Sequence, residues 1–572
     1  MRNKNTNLIL GLMLAASVVL AGCSGGGGMA GGSAGGNGGV TGGGGTGSGG
    51  TNPPTSTVGN WTWIGGTQGG LNGVDKNGVA AISTWPGSGV DDNVSAIWTD
   101  TQGNVWMYGG AGETAYQQTD ALWKKAPSDT KWTLVGGTID DTQQNPTQQY
   151  ACNTYPQFQG VWGTKGVASQ SNWPPAFVSS PAYWTDKEGN FWMFGGQICA
   201  STNNFVASNA LWEYRPTTGE WTWVSGDEGD TRDYTHQHDY GLTWGNPGVY
   251  GTKGVPDPAN KPGGREAGAG WADVNGNIWI FGGYGTASAP DSDISGSTQI
   301  PYLNDLWEFN PTTGEWTWVS GASDTWELMP SANGVYYANY SAEKGVYGTK
   351  GVASPTNTPG GRQGMVSWTD SQGRIWLYGG DGIDADAGIG QGGNPATAGS
   401  GRLSDVWMFD PLTSQWTWEG GETTASTTMA SYGTKGQAGE TNTPGSRSYS
   451  TGCTDENGSL WLYGGNYAAG ANPSWNSTTI AGPMADMWEF NSVSMQWTWQ
   501  GGNQSVNGPE PSYGSQGVSS AQNSPGSRQY SYCWFDTSGN LLLFGGNGSS
   551  KPGLTSGEWE AYFNDLWEYQ VK

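Results

Sequence analysis

The chain of 572 residues is poor in charge, and poorest in positive charge. Lys and Arg total 23 against 48 Asp and Glu, so the net charge at pH 7 is -25. A surface this acidic opposes binding to DNA, to RNA and to anionic membrane surfaces. Histidine is scarcer still: His236 and His238 are the two present. They alternate along one loop and would project to opposite sides of an extended chain, so they predict at most a weak metal site.

Long apolar runs are also scarce. Residues 8–20 form one, behind Arg2 and Lys4, but the run is too short to span a membrane comfortably as a helix. The motif Leu-Ala-Gly-Cys follows it at residues 20–23 and resembles the bacterial lipobox. That resemblance implies a signal peptide over residues 1–23 and a lipid on Cys23. The alternative is an ordinary signal peptide with a chance cysteine.

The residues after Cys23 predict how the protein is held at the cell envelope. Ser24, where an Asp would signal the inner membrane, implies outer-membrane anchoring in a Gram-negative bacterium, on the periplasmic or the outer side. Residues 24–59 are mostly Gly, Ser, Thr and Asn, which is typical of a flexible tether. A lipid anchor on a tether needs no transmembrane helix.

Glycine and tryptophan are abundant, with 100 Gly and 34 Trp. Glycine suits turns that need a positive φ, and Trp supplies a large buried area per residue. With little charge and many Thr, Ser and Asn, this composition favours an all-β domain and gives no support for helices.

One pattern occurs six times over residues 60–572: a strand ending in Trp-x-Asp, a Gly-Asn turn, a strand ending in Gly-Gly, a strand with Asp-Leu-Trp-Glu, and a strand with Trp-Thr-Trp. The Gly-Gly pairs begin at Gly109, Gly195, Gly282, Gly379, Gly464 and Gly545. The fourth elements begin at Trp132, Trp221, Trp316, Trp416 and Trp497, whereas the sixth, Trp61, precedes all of these pairs. Because the last copy lacks the piece that the front of the chain supplies, the offset favours a closed ring over a rod.

The pattern resembles the kelch repeat in its double glycine, its aromatic third strand and its Trp in the fourth. The resemblance implies an all-β, six-bladed β-propeller with four antiparallel strands per blade, closed by the N-terminal strand completing the last blade. Kelch repeats run about 50 residues, whereas these Gly-Gly pairs are 81 to 97 residues apart. The excess lies in the second-to-third loops and in the connections between blades. In an up-and-down blade both loop types emerge on one face, which is therefore the predicted binding face.

The connections between blades also repeat. Tyr-Gly-Thr-Lys-Gly begins at Tyr250, Tyr347 and Tyr432, with variants at Trp162 and Tyr513, and a Pro-Gly-Gly/Ser-Arg motif follows in four copies. The arginines are Arg265, Arg362, Arg447 and Arg528. One interpretation is that these loops brace the blades and that the arginines pair with carboxylates such as those of Asp-Leu-Trp-Glu. The other is a partial ring of arginines that receives an acidic ligand, which blades one and two would leave lopsided.

Four cysteines remain besides Cys23, and export makes disulfides plausible. Cys152 and Cys199 lie in loops of the same predicted face, so they can meet. Cys453 and Cys533 lie on first strands of adjacent blades and point toward each other by strand alternation. The latter two form either an inter-blade bridge or two inert buried thiols.

Kelch propellers include the galactose-oxidase type of copper enzyme, whose copper takes two His and two Tyr from separate loops. This chain has its two His in one loop, so the resemblance does not extend to that centre and no cofactor is expected. Weak calcium patterns occur at Asp381, Asp384 and Asp386 and at Asp291 and Asp293. Because calcium needs six to eight oxygen ligands, solvated loop carboxylates are the simpler interpretation.

Most of the Trp occupy repeated strand or loop positions and are predicted core. Six lie in long loops instead, as packing anchors or as contacts for a glycan or protein: Trp85, Trp173, Trp244, Trp326, Trp475 and Trp559. These and the four repeated arginines are the candidate ligand-binding residues.

The sequence favours a monomeric, non-catalytic binding protein of the bacterial envelope, attached to the membrane through its lipid alone, with a protein or polysaccharide partner. Because some exported kelch propellers are sugar mutarotases acting on sialic acid, a carbohydrate-active enzyme is the alternative. Its acid/base chemistry would fall to Arg265, Arg362 and Arg447 with a nearby Glu such as Glu266. A structural or adhesion component of the cell surface is the third possibility.

Overall fold

The computed structural model describes residues 59–66, 68, 95–110, 119–129, 131–138, 159–199, 205–229, 245–288, 302–323, 327–330, 336–339, 343–386, 399–425, 428–469, 480–548 and 561–571. The secondary structure of these residues is β throughout, with no helix among them. Within this part of the chain, therefore, no helix has the length and apolarity needed to cross a membrane. The all-β prediction is confirmed for the described residues.

The strands are given in chain order. The N-terminal strand and the first two repeats contain β1 Trp61–Gly65, β2 Ser95–Thr99, β3 Val105–Gly109, β4 Leu122–Lys125, β5 Thr133–Gly136, β6 Phe177–Thr185, β7 Phe191–Cys199, β8 Phe205–Ala207, β9 Leu211–Arg215 and β10 Glu220–Ser225. The third and fourth repeats contain β11 Arg265–Glu266, β12 Ala269–Ala272, β13 Ile278–Phe281, β14 Tyr284–Gly285, β15 Leu306–Asn310, β16 Glu315–Ser320, β17 Glu327–Pro330, β18 Tyr336–Asn339, β19 Arg362–Gln363, β20 Val366–Thr369, β21 Ile375–Tyr378, β22 Asp381–Ile383, β23 Ser400–Arg402, β24 Val406–Asp410 and β25 Gln415–Gly420. The last two contain β26 Ala438–Gly439, β27 Arg447–Ser448, β28 Thr451–Thr454, β29 Leu460–Tyr463, β30 Asn466–Ala469, β31 Ile480–Pro483, β32 Ala485–Asn491, β33 Gln496–Asn503, β34 Arg528–Gln529, β35 Tyr532–Phe535, β36 Leu541–Phe544, β37 Asn547–Gly548, β38 Ala561–Tyr562 and β39 Leu566–Tyr569.

Each repeat contributes one antiparallel sheet with a path of four strands. The orders are β2-β3-β4-β5 in sheet 1, β6-β7-β9-β10 in sheet 2, β12-β13-β15-β16 in sheet 3, β20-β21-β24-β25 in sheet 4, β28-β29-β32-β33 in sheet 5 and β35-β36-β39-β1 in sheet 6. Sequence neighbours pair in every sheet except sheet 6, whose outer strand comes from the start of the chain. There Trp61 pairs with Tyr569 and Trp63 with Trp567.

The turn between the first two strands explains why each repeat begins as a hairpin. In the third repeat, Oδ1 of Asp273 accepts the backbone N–H groups of Asn275 and Asn277, at 2.8 and 2.9 Å. Its Oδ2 accepts the indole N–H of Trp279 at 3.1 Å. Gly276 supplies the positive φ of 87° that this turn requires. One aspartate therefore closes the turn and fixes the Trp of the second strand, and Asp100, Asp186, Asp370 and Asp455 do the same.

The sheets share their hydrophobic cores in pairs. In β13, Ile278 and Ile280 pack toward sheet 2, and Trp279 and Phe281 pack toward sheet 4. The second strand is buried on both faces for this reason, as its uninterrupted apolar sequence predicted. The other cores join sheets 1 and 2, 4 and 5, 5 and 6, and 6 and 1.

In sheets 2 to 6, the outer strand is covered by the repeated Tyr-Gly-Thr-Lys-Gly loop or one of its variants. In the fourth repeat, Gly351 N–H donates to Trp418 O at 2.8 Å, and the Asn357 amide donates to Trp416 O at 3.0 Å. The corresponding loop of the sixth repeat makes these bonds to the N-terminal strand, where Asn523 donates to Trp61 O. The loops therefore satisfy groups that an edge strand would leave open.

The long connections contain small sheets that the sequence did not predict. Short strands pair as β11-β14, β17-β18, β19-β22-β23, β27-β30-β31 and β34-β37-β38. Four of these begin at the repeated arginine. Since they follow the second strand or precede the first, they lie at the same end of the sheets as the long connections, opposite the short turns.

Candidate functional site

The four repeated arginines lie inside the protein and bind aspartate. Arg362 forms a bidentate ion pair with Asp405, with Nη1–Oδ1 and Nη2–Oδ2 distances of 2.6 and 2.8 Å, and both side chains are 0% exposed. Tyr347 and Trp407 donate to the same Oδ2, each at 2.7 Å. The guanidinium also donates to two backbone carbonyls, those of Gly360 and Gly379. We call this arrangement the arginine brace; the other three repeats contain it as Arg265–Asp305, Arg447–Asp486 and Arg528–Asp565.

The second repeat replaces the brace with an apolar core. Phe177 stands where the other repeats have the arginine, as shown by its pairing with Ile198, which corresponds to the pairing of Arg265 with Gly285. Trp162 takes the place of the tyrosine, and Ala210 that of the aspartate. All three belong to one buried cluster. The brace therefore links elements of the fold, and its guanidinium groups are not presented to solvent.

Directly after the arginines, a backbone ladder runs from one sheet to the next. The N–H of Ala267 donates to Ser180 O at 2.9 Å, and that of Gly364 donates to Ala267 O at 3.0 Å. The N–H of Tyr449 donates to Gly364 O at 2.7 Å, and the N–H of Tyr530 donates to Tyr449 O at 3.2 Å. Each donor residue lies two positions after its arginine. The ladder therefore uses the equivalent residue of four repeats.

The ladder residues adopt the left-handed conformation, although three of them are not glycine. The φ angles are 50° at Ala267, 59° at Gly364, and 55° at both Tyr449 and Tyr530. A bulky residue at positive φ is strained, and such strain persists only where the surrounding structure enforces it. The rings of the two tyrosines contact each other with centroids 4.4 Å apart. The Tyr449 ring also lies over Gly364, because a Cβ added there would approach its Cε1 within 2.5 Å.

A small polar cleft of about 150 Å³ lies beside the ladder, at the end of the sheets that carries the long connections. Its lining residues are Ser179, Ser180, Glu266, Ala267, Tyr284, Gln363 and Tyr449. They come from repeats 2 to 5: the two serines from β6 of sheet 2, and the others from the small sheets of the later repeats or from directly after their strands. Hydroxyl, amide and carboxylate groups therefore face one space together with two tyrosine rings.

A partly buried acid lies next to the cleft. Asp381 pairs in register with Gln363, and it hydrogen-bonds with the hydroxyl of Tyr302. Burial raises the pKa of the Asp381 carboxyl above its ordinary value, although the charge of Arg402 and the Tyr302 hydrogen bond act in the opposite direction. The Tyr302 ring in turn contacts that of Tyr284, with centroids 5.9 Å apart. The cleft therefore adjoins a carboxyl group whose proton is held more tightly than in water.

The loop acids proposed as a weak calcium pattern take part in backbone contacts. Asp384 is buried, and its two carboxylate oxygens accept the N–H groups of Asp386 and Ala425, each at 2.8 Å. Among the described residues, no three His, Cys, Asp or Glu side chains come together as a metal site. Asp291, Asp293, His236 and His238 lie outside the described residues.

Of the six loop tryptophans, Trp173 is the one among the described residues. Its indole donates to Asp120 O at 2.8 Å, and its ring packs near Tyr108 and Trp221. It also lies over Gly136, where a Cβ would approach the indole within 2.6 Å. Trp173 therefore anchors its loop to the sheet. Outside the described residues lie Trp85, Trp244, Trp326, Trp475 and Trp559.

Two cysteines join neighbouring sheets. Cys453 of β28 and Cys533 of β35 form a disulfide, with their Cα atoms 5.7 Å apart. Cys199 is also disulfide-bonded. Cys152, the partner predicted for it, lies outside the described residues, as does Cys23.

Comparison with known proteins adds little to these observations. No family model matches the chain, and no curated protein matches it. Among solved structures, the chain is similar to that of YjhT, at 13% sequence identity, with 84% of this chain and 95% of that chain covered and a TM-score of 0.43. A likeness at this level carries no information about what the chain binds.

Sequence reasoning named Glu266 but missed the rest of the cleft. The signal was present, because Tyr449 and Tyr530 follow their arginines at the same spacing as Ala267 and Gly364. What the sequence did not show was the positive φ at that position.

Proposed function

We propose that residues 60–572 form a closed six-bladed β-propeller of the kelch type. Six four-stranded sheets, each sharing a core with two others, support this architecture. The pairing of β1 with β39 supports closure by the N-terminal strand. In this arrangement the first strands face the central axis, and the polar cleft opens beside it.

The propeller is the head of a lipid-anchored envelope protein, and it binds a carbohydrate through the face that carries the long connections. The observation that carries this proposal is the polar cleft. A preformed concave site with a few convergent polar groups is the usual form of a small-ligand site. Its hydroxyl, amide and carboxylate groups suit the hydroxyl groups of a sugar, and the Tyr284 and Tyr449 rings suit its apolar face.

Catalysis on a sugar is a second candidate function, favoured by one observation. A carboxyl group with a raised pKa beside a cleft is a common feature of acid/base sites, and Asp381 is such a group. An exchange reaction at an anomeric carbon needs a proton donor and an acceptor. Glu266, which lines the cleft, and Asp381, which pairs with the lining residue Gln363, are the carboxyl groups assigned to these roles.

The test of the binding function is a glycan array, together with a pull-down from envelope extract, using the purified full-length chain with and without calcium. We expect retention of a defined set of glycans, and its loss in a Tyr449→Gly variant. Capture of a protein alone, or of nothing, would contradict carbohydrate binding. For a retained sugar, anomer exchange followed by NMR then separates binding from catalysis, because an enzyme would accelerate exchange and an Asp381→Asn variant would not.

A further inference from the structure

We propose that the fifth and sixth repeats hold a monovalent metal cation between them, bound by the side-chain oxygens of Ser448, Asn466 and Gln529. These three residues are called the neutral triad below. The site is separate from the polar cleft and does not depend on carbohydrate binding.

Backbone contacts bring the neutral triad together. Ser448 and Asn466 pair in register across β27 and β30, so their side chains lie on the same face of that small sheet. Gly465 N–H donates to Arg528 O at 2.9 Å, which places Gln529 of the sixth repeat beside Asn466 of the fifth. The ladder bond between the same two repeats holds the residues that follow Ser448 and Gln529. The three side chains therefore belong to one small region.

The polar cleft shows that these three positions converge on one space. Glu266, Tyr284 and Gln363 occupy the equivalent positions of the third and fourth repeats, and all three line the cleft. They are held by the equivalent backbone bond, from Gly283 N–H to Arg362 O at 2.8 Å. The neutral triad is thus the counterpart of these lining residues, with an amide and a hydroxyl in place of the tyrosine and the carboxylate.

The oxygens of the neutral triad are buried without a partner. Ser448 Oγ, Asn466 Oδ1 and Gln529 Oε1 have no hydrogen-bond partner among the described residues. Ser448 as a whole is 2% exposed. Asn547, which pairs in register with Gln529, has a buried Oδ1 in the same condition. Because buried acceptors without partners are rare and destabilising, several in one place indicate an occupant that attracts oxygen atoms.

The chemistry of the oxygens favours an alkali cation as that occupant. Two are amide carbonyl oxygens and one is a hydroxyl oxygen, so the triad carries no charge. Neutral oxygens replace the hydration shell of potassium in channel filters, whereas calcium and magnesium sites use carboxylates. A cation attracts all three oxygens at once, and the net charge of -25 favours its approach.

The charged side chains around the neutral triad are engaged elsewhere. The arginines that precede two of its members are buried in their braces and paired with aspartate. Asp381 lies on the neighbouring small sheet, where Gly380 N–H donates to Arg447 O at 2.9 Å. Its carboxyl hydrogen-bonds with Tyr302 and lies within the field of Arg402. The triad is therefore suited to a single positive charge.

The test follows thermal unfolding of the purified full-length chain, free of divalent metal ions, in sodium, potassium and choline chloride at equal ionic strength. Choline matches the screening of the acidic surface but is too large for the site. We expect a melting temperature about 1–2 °C higher in sodium or potassium chloride than in choline chloride, saturating as the salt concentration rises. Crystals soaked in thallium(I), a stand-in for potassium, should show an anomalous peak beside Asn466 and Gln529.

Variants assign the effect to the neutral triad. Ser448→Ala and Asn466→Leu should each lose the cation-dependent rise, and in choline chloride Ser448→Ala should melt no lower than the natural chain, because it removes an unpartnered hydroxyl. The matched control is Ser320→Ala, whose hydroxyl on β16 is also buried without a partner among the described residues and which should keep the rise.

Three results would overturn the proposal. Equal melting temperatures in all three salts would mean that water fills the site. A rise that survives in both triad variants would place the cation elsewhere. A response to calcium chloride alone would contradict a monovalent ion. None of these results bears on carbohydrate binding, which the glycan array tests separately.

Discussion

At the scale of single residues, the repeats show which positions are fixed by a contact rather than by a residue type. In the first three repeats, the residue three positions before the Trp of the third strand accepts a backbone hydrogen bond from the loop after strand four. Asn209 and Asn304 do so through Oδ1, at 2.9 and 2.8 Å. In the first repeat Asp120 takes this position and accepts the N–H of Thr138. A carboxylate here gains the same hydrogen bond but loses hydration, since Asp120 is 6% exposed.

The substitution of Asp120 by Asn tests this difference. Burial raises the pKa of Asp120 to about 6, so the folded chain holds its proton more tightly than the unfolded chain does. Stability should therefore fall as the pH rises from about 4 through 6. Asp120→Asn should be more stable than the natural chain at pH 8, by on the order of 2–3 kcal/mol, and similar to it at pH 4. Urea unfolding at both pH values measures this, with Asn304→Asp as the converse control.

At the scale of elements, the arginine brace joins three pieces of chain that are far apart in sequence. In the fourth repeat these are the loop entering the repeat, the short strand β19 and the residue directly before β24, through Tyr347, Arg362 and Asp405. The second repeat makes the same junction with Trp162, Phe177 and Ala210. The same junction is therefore formed by an ion pair in the fourth repeat and by apolar packing in the second. All three residues differ between the two repeats, because a charged side chain buried without its partner is strongly destabilising.

This co-variation predicts the outcome of a transplant. Asp405→Ala alone should lower the free energy of unfolding by about 3–5 kcal/mol, because it leaves Arg362 buried without its partner. The triple variant Tyr347→Trp, Arg362→Phe and Asp405→Ala, which copies the second repeat, should recover most of that loss. Urea titration of the single and triple variants measures the difference. A triple variant no more stable than the single would show that the two junctions are not equivalent.

At the scale of the whole molecule, the two ends of the described β-structure meet in sheet 6. The N-terminal strand β1 pairs with β39 and buries Trp61 and Trp63, which are 7 and 8% exposed. The loop of the sixth repeat covers this strand as the other loops cover their own fourth strands. A strand from the start of the chain therefore occupies, in sheet 6, the outer position that the fourth strand of the same repeat occupies in the other sheets.

Removal of residues 60–64 should consequently lower stability although no other strand is altered. The loss of two buried Trp side chains alone predicts at least roughly 3–5 kcal/mol, and the freed edge of β39 adds to it. Thermal and urea unfolding of the shortened chain measure the effect, with deletion of residues 25–50 as the control. An unchanged unfolding curve for the shortened chain would refute closure by this strand.

Much of the strand framework could be predicted from the sequence, because it depends on local chemistry. The Asp–Gly turn before Trp279 and the uninterrupted apolar run of β13 predict a hairpin whose second strand is buried on both faces. The small sheets and the cleft could not be predicted in this way. They depend on which loop carbonyl each N–H meets, as when Gly364 donates to Ala267 O of the neighbouring repeat.

The sequence by itself determined the β-class, the six repeats and the assignment of β1 to the last repeat, because each follows from periodicity and from pairing that every copy repeats. The tertiary structure alone decided what the repeated polar residues do. Arg362 and Asp381 are both polar residues of one long-connection region, yet burial and ion pairing commit the first to the fold. Asp381 instead lies beside the cleft, and burial raises the pKa of its carboxyl above the ordinary value. That difference is a matter of neighbours in space, which the spacing of residues along the chain does not specify.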